Sequence, residues 1–107
     1  MDLAIEVYRQ TPAFPREEIY SLTQQMRRAA VSIPSNIAEG KGRKSRKEFG
    51  QFLFQARGSL LELQTQVMIA NRLNYLTAEQ AKLILDQAAQ MGRSLTGLIN
   101  SLTESVA

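Results

Sequence analysis

Apolar residues recur along this chain at intervals of three and four, and hardly anywhere at intervals of two. That spacing marks amphipathic helices, and no stretch alternates long enough to predict a strand. The most regular run is Phe49, Leu53, Ala56, Leu60, Leu63, Val67 and Ala70, which keeps a four-three alternation without a miss. Beside it Phe54, Leu61, Met68 and Tyr75 recur every seven residues. The two rows predict a helix over about residues 46 to 73. A similar seam, Ala81, Leu85, Ala88, Gly92, Leu95, Ile99, Leu102 and Val106, is flanked by Ile84, Met91 and Leu98 and predicts a helix over about 78 to 104. Ile19, Leu22, Met26, Ala29 and Ile33 predict one over about 15 to 40, and Leu3, Ala4, Val7 and Tyr8 a short first helix over about 2 to 11.

The segments between these runs carry start and stop signals. Pro12 and Pro15 in "TPAFP" end the first helix, and Pro15 suits the first position of the second, with Glu17 and Glu18 placed for its dipole. Ser45-x-x-Glu48 and Thr77-x-x-Gln80 read as capping boxes. Gly40 and Gly42 are candidates for the left-handed turn closing the second helix, and Asn74 for the third. Such short loops imply antiparallel neighbours. The expected fold is all-α: an antiparallel up-and-down four-helix bundle, one domain spanning residues 1–107. A seam with a flanking row is wider than a two-stranded coiled coil needs, so each flanking row is either internal core or subunit interface.

Pro34 sits inside the second helical run. It removes the bond to the carbonyl of Ala30 and crowds that carbonyl, so the helix either ends there or kinks and continues. Ile37 and Ala38 keep a core-facing spacing beyond it, which favours a kink. Asn36 stands where the pattern wants an apolar residue and is a candidate partner for a freed backbone group.

Composition narrows the chemistry. A hydrophobic fraction of 44% fits a folded globular chain rather than a disordered one. With no Cys and no His, a zinc site would need oxygen ligands alone, a Glu-x-x-His di-iron site cannot be written, and the commonest general base is missing. No metal, no cofactor and no enzymatic activity are expected. No apolar run approaches a membrane span, and the early acids in "MDLAIEVYRQ" do not make a signal peptide. Absence of cysteine fits a cytoplasmic location.

Charge is the most uneven property. The net charge is +3, yet residues 27–47 hold Arg27, Arg28, Lys41, Arg43, Lys44, Arg46 and Lys47 against one acid, Glu39. The remainder carries six basic and nine acidic residues. Such asymmetry points to an anionic partner. Arg46 and Lys47 stand in the first turn of a helix, where each opposes the macrodipole by about 0.3–1 kcal/mol at low salt. A helix start flanked by Lys41, Arg43 and Lys44 suits a phosphate. "GKGRKS" does not have P-loop spacing, so nucleotide hydrolysis is not expected. Arg27 and Arg28 lie about 100° apart around their helix, so both cannot enter the seam. Phe49, Phe52 and Phe54 read as core rather than as stacking platforms for bases.

At these residues a resemblance emerges. The order Arg28-Ala29-Ala30, Ser32-Ile33-Pro34, Asn36-Ile37-Ala38-Glu39-Gly40, then Arg43, Glu48, Phe49, Gly58-Ser59 and Glu62, resembles the proteins encoded in intervening sequences of bacterial 23S ribosomal RNA genes. "LNYLTAEQ" and the fourth helical pattern extend the likeness over nearly the whole chain. Accessory variability proteins of diversity-generating retroelements are similar. The resemblance implies a four-helix bundle assembled as a ring-like homopentamer. For the retroelement members it also implies a basic surface for nucleic acid and a reverse transcriptase partner. Family chains usually have a longer first helix, so weaker anchoring of this one is expected. The function expected is a non-enzymatic, oligomeric nucleic-acid-binding accessory protein. It would hold RNA or DNA phosphates with Arg27, Arg28, Lys41, Arg43, Lys44, Arg46, Lys47 and Arg57. The alternative is a scaffold whose basic corner docks an acidic protein.

Overall fold

The four-three seam from Phe49 to Ala70 is the spine of the core. In a computed structural model describing residues 1–104, with side chains as far as Leu102, the chain forms four helices: α1 (Asp2–Gln10), α2 (Leu22–Lys41), α3 (Arg46–Arg72) and α4 (Ala78–Glu104). There is no strand among the described residues. Leu53, Ala56, Leu63, Val67 and Ala70 of α3 are fully buried, against Met26, Ala29 and Ile33 of α2 and Ile84, Ala88 and Leu95 of α4. Each helix packs on its neighbours in chain order, and α1 closes the ring by touching both α2 and α4. The expected up-and-down bundle is therefore present. Its nine-residue first helix is about 14 Å long against about 40 Å for α3 and α4, so it roofs only part of the groove between α2 and α4. Leu3 and Val7 still insert into the core.

The second helix starts later than the sequence predicts. Pro15 opens a 3₁₀ turn, Arg16–Glu18, and Ser21 leaves helical geometry at φ −129°, ψ −104°. One carboxylate oxygen of Glu18 accepts from the Ser21 hydroxyl and the Leu22 amide, while the other accepts from Tyr75 Oη at 2.7 Å. The Tyr75 ring tilts against Phe14, with centroids 5.4 Å apart. These contacts reward a turn that reaches towards the α3–α4 connection over continuing a helix. Ile19 consequently drops out of the predicted seam and stands 48% exposed.

Helix ends bear out some capping expectations and correct others. Asn74 does adopt the left-handed conformation after α3, at φ 65°. No glycine does: Gly42 sits at φ −79°, ψ −6°, and its amide and that of Arg43 close α2 through the Glu39 and Gly40 carbonyls. Gly40 serves proximity instead. A Cβ there would stand 2.8 Å from Phe52 Cβ and 2.9 Å from Phe49 Cδ1, so its missing side chain lets α3 approach α2. Thr77 and Gln80 form both halves of their capping box, whereas at Ser45 only the hydroxyl bond to the Glu48 amide forms.

Helix α2 continues through Pro34 to Lys41 instead of ending there, with Ile37 still against the core and Ala38 exposed. Asn36 does not serve the carbonyl that Pro34 frees. Its Nδ2 donates to the Ser32 carbonyl and hydroxyl, both at 2.8 Å, and that hydroxyl meets Ser59 Oγ of α3 at 2.8 Å. Of the flanking rows, Ile84 is buried and Tyr75 and Met91 half-buried, but Phe54, Leu61 and Met68 are each more than half exposed. The reading of Phe54 as core is corrected, because α3 has α2 and α4 as its helix neighbours and the Phe54 row faces neither closely enough to be covered. Val106 lies outside the described residues.

Candidate nucleic-acid interface

The eight predicted basic residues divide between one corner and two outlying positions. Lys41 ends α2, Arg43 and Lys44 occupy the turn, and Arg46 and Lys47 open α3; all five are exposed. Gly40 allows the tight helix approach below them, which holds the corner compact. Arg43 is the ordered member, paired with Glu39 at 3.1 Å and lying over the Phe52 ring at 5.0 Å. Lys41, Lys44, Arg46 and Lys47 make no ion pair among the described residues. The cap at Ser45 takes up the Glu48 amide, leaving the amides of Arg46 and Lys47 without intrahelical partners. Cations and open amides at one end of the bundle form a surface suited to phosphate oxygens.

Arg27 and Arg28 are not part of this corner. They precede Lys41 by 14 and 13 residues, about 20 Å along α2. Arg27 is half-buried: its Nε donates to Thr11 Oγ1 at 2.9 Å and its guanidinium covers the Tyr8 ring at 4.8 Å. Arg28 beside it is exposed, as the 100° argument requires of at least one of them. Arg57 lies about 16 Å along α3 from Arg46, over the Phe54 ring at 5.1 Å. No three His, Cys, Asp or Glu side chains gather as a metal site among the described residues.

A sequence model of the 23S rRNA-intervening sequence protein family matches residues 1–97. The chain belongs to that family. The match takes in α1, α2, α3 and most of α4, so the basic corner lies inside it. The crystal structure of a protein with unknown function from the S23 ribosomal protein family of Bacteroides thetaiotaomicron is similar, with a TM-score of 0.84, 22% identity and 92% of each chain covered. At that identity the likeness carries the fold alone. No curated protein matches the chain. Among the described residues, no helix of this family member is long and apolar enough to cross a membrane.

The structure adds a feature that the spacing of apolar residues hid. A groove of about 550 Å³ opens between α1, the 16–21 turn and the first half of α2, lined by Tyr8, Ile19, Tyr20, Thr23, Arg27 and Arg28 among others. Tyr8 and Ile19 fall in the predicted seams, and Tyr20 lies outside them. A signal was present in the sequence. Ser21-x-x-Gln24 also fits the helix-start signature, and a start there releases Ile19 and Tyr20 from the helix.

Proposed function

We propose that this member of the 23S rRNA-intervening sequence protein family is a non-enzymatic, oligomeric accessory protein that holds RNA or DNA by its phosphates at the α2–α3 corner. The observation that carries the reading is the set of four exposed cations, Lys41, Lys44, Arg46 and Lys47, without carboxylate partners, two of which, Arg46 and Lys47, stand at a helix start that opposes them. Phosphates would relieve that mutual repulsion, and a fold needs no such cluster for stability. Phosphate contacts position a nucleic acid without reading its sequence, so broad specificity is expected.

Assembly is the second part of the proposal, with the homopentamer of the resemblance as the expected state. The exposed row Phe54, Leu61 and Met68 supports it, since three large apolar side chains at one heptad position form a continuous stripe. The accessible surface is 6875 Å² for 12.0 kDa, against about 6,000 Å² for a compact monomer of that mass. Part of the excess reflects an elongated form, 48 × 23 × 18 Å. Repeating the corner around a ring would join weak sites by avidity. A reverse transcriptase is the protein partner suggested by the retroelement resemblance, and co-purification with one encoded nearby tests that part.

Salt dependence tests the phosphate reading. With four unpaired cations at one corner, raising salt from about 50 to 200 mM should weaken binding by roughly 50–150-fold. No binding at the lower salt, or equal binding at both, refutes it. Light scattering that shows a stable monomer refutes the assembly.

A further inference from the structure

We infer that the groove beside Tyr20 is a second nucleic-acid subsite, one that takes an unpaired nucleotide and makes single strands the preferred ligand. The inference rests on the phosphate reading of the corner and assigns to it a substrate class. It begins with Tyr20, the most exposed aromatic side chain of the described structure at 87%, in a rim where an apolar ring gains nothing from the fold. Tyr8 of α1 also lines the groove, 47% exposed, its ring already layered by Arg27. Arg27 spends only its Nε on Thr11, so the rest of its five-donor fork is uncommitted there. Arg28 is exposed and makes no ion pair among the described residues, and no carboxylate lines the groove. Thr23, only 4% exposed, carries an Oγ1 with no hydrogen-bond partner in the protein.

An occupant matching this lining needs a flat face for Tyr20, negative charge for two guanidiniums and size for about 550 Å³. A base with its phosphate meets all three requirements. Charge decides between a nucleic acid and an acidic peptide. The exposed side of α2 from the groove to the corner is Val31, Ser35 and Ala38, small or apolar and uncharged. The first acid on the way is Glu39, already paired with Arg43. Along α2 a polyanion with evenly spaced phosphates can therefore run the roughly 20 Å from Arg28 to Lys41 without meeting a free carboxylate of that helix. A peptide would need acids at both ends and none of consequence between. A duplex keeps its bases stacked inside and offers Tyr20 no face.

The test compares a single strand of roughly 12 nucleotides with a duplex of equal length, each in ribo and deoxyribo forms, at low salt. Tyr20→Ala should weaken single-strand binding by about tenfold and leave duplex binding within about twofold, while Tyr20→Trp keeps the single-strand affinity. Removing one base from the strand should cost affinity with the wild-type protein and much less with Tyr20→Ala. Because Tyr20 is so exposed, helical content should not change, which circular dichroism checks. Equal losses on both ligands, no loss on either, or a loss confined to a poly-glutamate probe overturns the subsite. The corner fails separately. Glu substitutions at Lys41, Lys44, Arg46 and Lys47 that spare all binding refute the corner, whereas wild-type-like Tyr20 variants beside a dead corner mutant refute only the groove.

Discussion

Replacing Gly40 by alanine should destabilise the protein, although alanine is the better helix former by about 1 kcal/mol. Gly40 is buried in the last turn of α2, with ordinary helical geometry, so no backbone strain opposes a side chain. What opposes it is α3. The new methyl would lie 2.8 Å from Phe52 Cβ and 2.9 Å from Phe49 Cδ1. The Phe49 ring can rotate away, but Phe52 Cβ is bonded to the backbone of α3 and moves only if the helix moves. Restoring ordinary contact needs more than half an ångström of separation at the α2–α3 corner. Overpacking of this kind costs about 1–3 kcal/mol, so a net loss of about 1 kcal/mol is expected after the propensity gain, and about 2–3 kcal/mol for Gly40→Val. For a chain of this length 1 kcal/mol corresponds to about 4–5 °C in Tm.

The control is Gly58→Ala in the middle of α3, where nothing lies within 4 Å of the added carbon. There the propensity term stands alone, and a gain of about 0.5–1 kcal/mol is expected. Thermal unfolding should be followed by circular dichroism at one fixed protein concentration, because assembly makes Tm depend on concentration. Equal stabilisation by both substitutions would refute the close-approach argument. The same experiment bears on function, since Gly40→Ala pushes apart the two helices that carry Lys41 and Arg46.

Three further outcomes follow from other contacts. Glu39→Gln frees Arg43 from its 3.1 Å partner and should tighten nucleic-acid binding at low salt and steepen the salt slope by about 0.7–0.9; an unchanged slope would show that Arg43 faces no phosphate. Leu61→Asp, on a side chain 58% exposed, should leave helical content intact but reduce the mass measured by light scattering, whereas an unaltered mass places the subunit contacts elsewhere. Hydrogen bonds from Ser21 and then Tyr75 hold the Glu18 carboxyl below its ordinary value of 4.5, so its contribution to stability is full above that value and lost as pH falls through the lowered one. Glu18→Gln should therefore flatten the acid limb of stability against pH. An identical limb in the variant would assign the acid sensitivity to other groups.

Periodicity showed the α3 and α4 seams because those helices are long and each keeps one face against the core over many turns. Seven positions in α3 repeat the same environment, so one misplaced residue could not disguise the pattern. The start of α2 was less legible for the opposite reason. It depends on one cap and on a contact between Glu18 and Tyr75, 57 positions apart, which no local rule contains. Gly40 was visible as a glycine at a helix end, where a left-handed turn is the commoner explanation, but only the neighbouring helix reveals that the space was needed for Phe52.

The basic residues show a similar limit. Sequence grouped eight cations by type, while the helix rise separates them by distances that decide what they can hold together. Five remain as a corner, while Arg27, held by Thr11 and Tyr8 through its Nε and its face, keeps its other donors for the groove. Charge density alone would suit a duplex as well as a single strand. The presence of Tyr20 beside Arg28, in a groove that exists only because α2 starts at Leu22, favours the single strand. The correction to one helix boundary and the choice of ligand class are thus the same observation. If α2 did begin near Pro15, Ile19 would be core, Tyr20 would lie on a continuous helix surface, and no groove would separate Arg28 from α1.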